Sequence, residues 1–317
     1  TLRSAARLCR TVQEQSLHSV EKDAKDPVTV ADYGVQALIG RMLSEYYPDD
    51  AVIAEESGQQ FRDLLDDDGT AYILNLLTEI LDENVTVDQF AAWLEQGQGK
   101  DASRTWVIDP IDGTKGFIAM RHYAICLGVL TDGNPTGGYM VCPGYEGDSS
   151  SAGDGGMIFY VEDGVPYKMP VNSDERTQIQ VSAQTDPTKM RIVQSFEREH
   201  AAKHRMARAR ELVGLNADHV TDLDSMEKYA LVACGDADIF LRMPHKGSTR
   251  RHKIWDHAAG VALVLAAGGR ATDLDGTPLD FSQGADMPNR GMIITNGAIH
   301  DDLVTAVETF YREEAGS

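Results

Sequence analysis

The apolar positions of the chain switch repeatedly between helical spacing and short contiguous runs. Leu2, Ala6, Leu8 and Val12 recur at roughly helical intervals and predict an opening helix. A polar loop at 22–27 follows, then a helix from about 32 to 47 and a strand at 51–54. Residues from about 59 to 104 read as an insertion. Within it Leu64-Leu65, 72–81 and 87–94 have helical spacing, joined by Asp66-Asp67-Asp68-Gly69 and Gly97-Gln98-Gly99. A surface elaboration suits this insertion somewhat better than a lid. Strands are expected at 105–108, 124–131, 135–141 and 157–161, with Asp132-Gly133-Asn134-Pro135 as a hairpin turn. The Gly, Ser and Asp content of 145–156 predicts a flexible loop. Beyond Pro170 the pattern gives short strands, helices near 199–213 and 225–234, and a strand at 237–242. A helix over 258–267 closes on Gly268 and Gly269. A strand at 291–295 and a helix at 301–311 complete the chain, and no segment repeats. Helices mixed with largely antiparallel strands predict a layered α+β architecture.

Composition narrows the function classes. The 317 residues, 42% of them hydrophobic, can bury one large core or two modest ones. No apolar run approaches the ~20 residues that span a bilayer. A net charge of -21 opposes general affinity for nucleic acid or anionic membranes. Cys9, Cys126, Cys142 and Cys234 show neither a C-x-x-C pair nor metal-ligand spacing, so a reducing compartment is the default. The cytoplasm is favoured. An organelle is the alternative, because Arg3, Arg7 and Arg10 precede the first acid, Glu14, as in part of a transit peptide. A monomer is favoured.

The densest chemistry lies in Trp106-Val107-Ile108-Asp109-Pro110-Ile111-Asp112-Gly113-Thr114. An apolar run delivers Asp109, Pro110 is expected to stop the strand, and Asp112 follows on a tight turn. Hard divalent cations take oxygen ligands, and two such carboxylates can share one ion. An ordinary acidic turn explains the same residues about equally well. Two further acidic groups tilt the balance: Glu55-Glu56 at the end of another apolar run, and Asp256 before the Ala-rich helix. Asp256 could equally be a helix cap. Asp32 sits at the start of a helix-like run. Arg242, Lys246, Arg250, Arg251 and Lys253 form a basic island without an acid, better explained as a polyanion-binding rim than as a solvated loop. None of the nine histidines falls in an H-E-x-x-H pattern, and His257 reads as structural.

Asp109-Pro110-Ile111-Asp112-Gly113-Thr114, with Glu55-Glu56 upstream and Trp255-Asp256-His257-Ala258-Ala259-Gly260 downstream, resembles the metal-dependent, lithium-sensitive phosphomonoesterase superfamily. That superfamily includes inositol monophosphatases, fructose-1,6-bisphosphatases and 3'(2'),5'-bisphosphate nucleotidases. Lys115-Gly116-Phe117, Asp26 to Tyr33, Ser195 to His200, Asp224 to Tyr229 and Leu241 to Gly260 resemble the nucleotidase branch, in collinear order. The resemblance implies a five-layer αβαβα sandwich with a site between two subdomains, 1–168 and 169–317. It implies two or three magnesium ions. Glu55, Asp109 and the Ile111 carbonyl would form one site; Asp109, Asp112 and Asp256 a second; Asp32 and Glu56 a weaker third. Thr114 and Asp32 would activate water. Gly113, His200, Ser225, Lys228 and Arg242 would bind substrate, with His204 close enough to compete with His200. The aromatic residue usual before the Lys253-Ile254-Trp255-Asp256 stretch is missing, and 247–253 carries what looks like one extra residue.

The resemblance therefore implies hydrolysis of 3'-phosphoadenosine 5'-phosphate to AMP and phosphate, with the corresponding phosphosulfate as a side substrate. An inositol polyphosphate 1-phosphatase is the runner-up. A non-catalytic sensor is disfavoured because every expected ligand is present, and an acidic calcium-binding protein fails for want of a D-x-D-x-D-G loop.

Overall fold

The computed structural model describes residues 1–18, 27–58, 61, 67–145, 155–196 and 202–316. Two helices open the chain, α1 (Leu2–His18) and α2 (Pro27–Tyr46). The second begins five residues before the expected start, because Pro27 has the backbone angle of a first helical position and no N–H to lose there. Asp32 thus lies inside α2. After β1 (Ala51–Ala54) the insertion supplies α3 (Asp67–Leu81) and α4 (Val87–Leu94). It packs into the outer helical layer: Phe61 stacks edge-on between Tyr33 and Phe90, at 5.5 and 4.8 Å between centroids. A Cβ on Gly40 would sit 1.9 Å from the Trp93 carbonyl oxygen, so α2 and α4 touch backbone to backbone. Leu64 and Leu65 lie outside the described residues.

A seven-stranded sheet follows the order β1 to β7: β2 (Arg104–Asp112), β3 (Ala124–Thr131), β4 (Asn134–Cys142), β5 (Met157–Glu162), β6 (Val165–Pro170) and β7 (Thr177–Gln178). Only the β1–β2 pairing among these is parallel. The sheet runs past residue 168. Helix α5 (Thr114–Ile118) interrupts it after β2. The second sheet, ordered β12-β14-β10-β8-β9, is built from β8 (Ile192–Ser195), β9 (Val220–Leu223), β10 (Ile239–Arg242), β12 (Arg270–Thr272) and β14 (Met292–Thr295). A small ribbon pairs β11 (His252–Lys253) with β13 (Asp286–Met287). The remaining helices are α6 (Lys203–Val213), α7 (Glu227–Ala233), α8 (Ala258–Ala266) and α9 (His300–Gly316).

Strand periodicity assigns the layers. Ile108, Ile125 and Leu127 face the core under α1 to α4. Their neighbours Val107, Ala124 and Cys126 face α7 and α8 instead. In the second sheet Phe240 and Ile294 meet the same pair of helices, while Ile239, Leu241 and Ile293 face α6 and α9. Three cores separated by two sheets make the αβαβα sandwich. The α7–α8 layer is tight enough that a Cβ on Gly138 would fall 2.2 Å from the Ala259 carbonyl oxygen.

One expectation is corrected. Pro110 does not end its strand. β2 continues to Asp112, with Asp109 opposite Cys126, Asp112 opposite Ala124, and a register shift between them. A bulge accommodates a residue without an N–H and turns the following side chains.

Candidate active site

The carboxyl end of β2 opens into a cavity of about 260 Å³. Asp109 and Asp112 reach it from the two sides of the bulge, Glu55 from the end of β1, and Asp256 from the segment before α8. Oxygens of Asp109, Asp112 and Asp256 lie within 4.8 Å of one another. Burial raises the pKa of all four acids; repulsion from the other carboxylates adds to it at Glu55, Asp109 and Asp112, whereas at Asp256 the nearby cations, Arg242 first, oppose it. Glu55 and Asp112 are pushed to about 7, chiefly by desolvation and then by Asp256. Asp109 is 2% exposed, and its Oδ1 meets no hydrogen-bond donor. A buried carboxylate oxygen without a donor, beside two others at this spacing, fits a hard divalent cation.

The turn after β2 is shaped by Gly113, whose φ of +91° is unfavourable for any side chain. Thr114 starts α5, and its Oγ1 donates to the Ile111 carbonyl at 3.4 Å. The cap position belongs to Gly113, so Thr114 is not the N-cap. Asp32 is buried on α2 and adds to the repulsion felt by Asp109. Glu56 is held through its backbone, which exchanges hydrogen bonds with the Gln36 side chain at 2.7 and 3.1 Å. Asp32 and Glu56 do not line the cavity.

Cations enter from the second sheet and α7. Lys228, 6% exposed, donates to the Leu223 carbonyl at 3.0 Å and to the Ser225 carbonyl. Burial lowers its pKa to about 8, although Asp112 opposes the shift. Arg242 on β10 is 8% exposed, and its pKa is likewise lowered by burial. Ser225 takes a left-handed φ of +66°, rare for a residue with a side chain. Its Cβ lies 3.0 Å from where a Cβ on Gly113 would stand, so the two turns meet tip to tip. Gly113, Ser225, Lys228 and Arg242 therefore line the same cavity as the carboxylates. His200 lies outside the described residues, and His204 is exposed on α6 and does not line the cavity.

Sequence reading missed three features. The Met226 N–H donates to Asp112 Oδ2. His122 Nδ1 and the buried Glu227 pair at 3.0 Å, and Arg121 meets Asp224 at 3.2 Å, so the segment after α5 is strapped to the start of α7. His257 Nδ1 bonds the Tyr229 hydroxyl at 2.8 Å, which fixes a ring in the cavity wall.

A family model described as the inositol monophosphatase family matches residues 1–311. The chain belongs to the inositol monophosphatase family. It is a family of metal-dependent hydrolases, and the acidic cluster is where this member could hold its metal. Rice 3'(2'),5'-bisphosphate nucleotidase is 34% identical, over 98% of this chain and 92% of its own length. Candida albicans 3'(2'),5'-bisphosphate nucleotidase 2 is 32% identical, over 93% and 89%. Among solved structures, the IMPase of Thermotoga maritima superposes with a TM-score of 0.63 at 19% identity, covering 98% and 95% of the two chains. Inositol monophosphatase II of Staphylococcus aureus gives 0.63 at 18%, covering 98% and 92%. These two carry the fold. Among the described residues of this family member, no helix is long and apolar enough to cross a membrane.

Proposed function

We propose that this chain hydrolyses the 3'-phosphate of 3'-phosphoadenosine 5'-phosphate to give AMP and phosphate, with magnesium as cofactor. Its phosphosulfate analogue would be a second substrate. One observation carries the reading: a single cavity joins the carboxylates of Glu55, Asp109, Asp112 and Asp256 to two buried cations, Lys228 and Arg242. The acids suit metals at the phosphate being cleaved, and the cations suit a second phosphate that is kept. Both nucleotidase relatives bear names of that chemistry.

In this reading Glu55, Asp109 and the Ile111 carbonyl would hold one ion, and Asp109, Asp112 and Asp256 would hold another. Asp32 and Glu56, outside the cavity lining, would support a third, weaker one. When bound, such ions lower the pKa of water and offset charge on phosphoryl oxygens. Thr114 presents a hydroxyl on the first turn of α5; once its single donor leaves the Ile111 carbonyl, it can donate to a carboxylate and accept from the attacking water. Asp32 is the proposed acceptor. The water oxygen bonds phosphorus as the P–O3' bond breaks, and the departing 3'-oxygen ends protonated. Gly113 lets the backbone approach the phosphate. Ser225, Lys228 and Arg242 retain the other phosphate, and Lys228 keeps one donor after serving its two carbonyls. His200 is the proposed contact to the nucleoside. The reading also includes two units meeting at the cavity, and a monomer.

Phosphate release from 3'-phosphoadenosine 5'-phosphate, with and without magnesium and with millimolar lithium, tests the proposal. Magnesium-dependent, lithium-blocked turnover, faster than that of inositol 1,4-bisphosphate, supports it. Turnover of the inositol ester alone would transfer the function to an inositol polyphosphate 1-phosphatase. Absence of both in folded, metal-binding protein would indicate a sensor.

A further inference from the structure

The basic island does more than border the catalytic cavity. A second cavity, of about 470 Å³, lies along the same segment, and Arg250 lines both. Its walls come from four parts of the chain: Arg205 on α6, the turn at 244–251, residues 287–290, and the last turns of α9. Pairing of β11 with β13 fixes the first two against each other, with His252 opposite Met287 and Lys253 opposite Asp286.

The charges in this wall are unbalanced. Lys246, Arg250, Arg251 and Arg290 line the cavity, and none of them is in an ion pair among the described residues. Glu314 is the carboxylate present, and it grips Arg205 Nη2 with both oxygens, at 2.7 and 2.6 Å. Arg205 also donates Nη1 to the Pro244 carbonyl at 3.0 Å, while its buried Nε meets no acceptor. Arg290 is held over the Tyr311 ring, its guanidinium carbon 5.6 Å from the centroid. Asp256, Asp275 and Asp286 are near enough to feel Arg250, Arg290 and Arg251, but none closes an ion pair with them, and the carboxylate in the cavity wall is already taken by Arg205. A guanidinium fork held on an aromatic face, as Arg290 is, matches the oxygens of a phosphate and loses little freedom on binding it, and Arg250, Arg251 and Lys246 add charge from the adjoining turn.

We propose that this second cavity binds the phosphate group of a small anion, at a site separate from the catalytic one and joined to it by Arg250. The inference does not rest on the proposed turnover. The same phosphate chemistry has two sources: a free anion, or a group carried by a molecule that also reaches the catalytic cavity.

The probe is pyrophosphate, titrated calorimetrically into the full chain in EDTA, where the uncompensated carboxylates repel anions from the catalytic cavity. Wild type and Lys228→Met should bind it alike, and Arg251→Gln/Arg290→Gln should bind at least tenfold more weakly with an unchanged urea midpoint. If the double variant fails to fold, the exposed Lys246→Gln should still weaken binding severalfold. Absence of binding, equal affinity in wild type and the Arg251/Arg290 or Lys246 variants, or a loss confined to Lys228→Met would overturn the proposal. Steady-state turnover separates the sources. A bridging ligand makes pyrophosphate raise KM and makes the double variant raise it too. A free anion leaves KM unchanged while the calorimetric difference persists.

Discussion

Asp112→Asn isolates the electrostatic strain of the metal-free site. Asp112 has a folded pKa of about 7 against an ordinary 3.8, with burial as the main cause and Asp256 as the second. Because the folded value is the higher one, its contribution to stability is greatest below about pH 4. It is lost as pH rises toward 7. The gap corresponds to about 4 kcal/mol at neutral pH. Asp112 is only partly buried, and solvent screening should leave about 2–3 kcal/mol of that in a measured stability. Asparagine keeps an oxygen for the Met226 N–H and removes the charge. Urea unfolding in EDTA at pH 5 to 8 should show wild type losing stability as pH rises. The variant should lose less and exceed wild type by about 2 kcal/mol at pH 8. Magnesium at about 100 times its dissociation constant should add about 2.7 kcal/mol to wild type, and clearly less to the variant. Phosphatase activity of the variant should fall at least a hundredfold. A variant less stable than wild type at pH 8 in EDTA would refute the reasoning, as would an undiminished magnesium effect.

Three other outcomes are expected. Lys228→Met should raise KM for 3'-phosphoadenosine 5'-phosphate at least tenfold with a smaller fall in kcat, because uniform binding of the retained phosphate is lost; an unchanged KM in steady-state assays would count against that role. Gly116→Ala puts a Cβ 1.9 Å from the His122 carbonyl oxygen, a backbone atom that cannot step aside. It should cost about 1–3 kcal/mol by urea midpoint and lower kcat by disturbing α5, whereas a neutral effect on both would contradict the packing. His300 is 0% exposed and bonded to Thr272 and Thr295 at 2.9 Å each, and burial lowers its pKa to about 4. The unfolded ring takes up its proton near pH 6.5, so this stabilisation is complete above that value and is lost as pH falls toward 4. The loss is about 3 kcal/mol, and His300→Gln should flatten stability across that window relative to wild type.

What could be read in advance was local. Asp109 and Asp112 stand three residues apart at the end of one apolar run, and strand alternation at 105–108 and 124–131 shows which side chains face which core. The continuation of β2 past Pro110 was not legible, since a bulge depends on the partner strand β3. Neither was the Met226 amide on Asp112, 114 residues away, nor the His122–Glu227 pair, 105 residues apart. No local pattern encodes such contacts. They follow from two turns being brought together by separate sheets. The insertion's place in the outer layer needed Phe61 to be seen between Tyr33 and Phe90.

The position of the charges explains why the sandwich is built as it is. Four acids with raised pKa values are a net cost to the metal-free fold, and burial is the first cause for each. A protein selected for stability alone would replace them with neutral residues. Lys228 and Arg242 are also held against a desolvation penalty, as their lowered pKa values show. Each group relieves part of the other's cost, for Asp112 is lowered by Lys228 and Lys228 is raised by Asp112. That relief requires the end of β2 and the start of α7 to stay in register, and the contacts missed by sequence reading hold them there: Met226 on Asp112, Arg121 on Asp224, His122 on Glu227. The strap preserves an arrangement of charges that is expensive without ligands. It becomes favourable once a metal ion and a phosphate complete it, and cavities with that thermodynamic profile are where function concentrates.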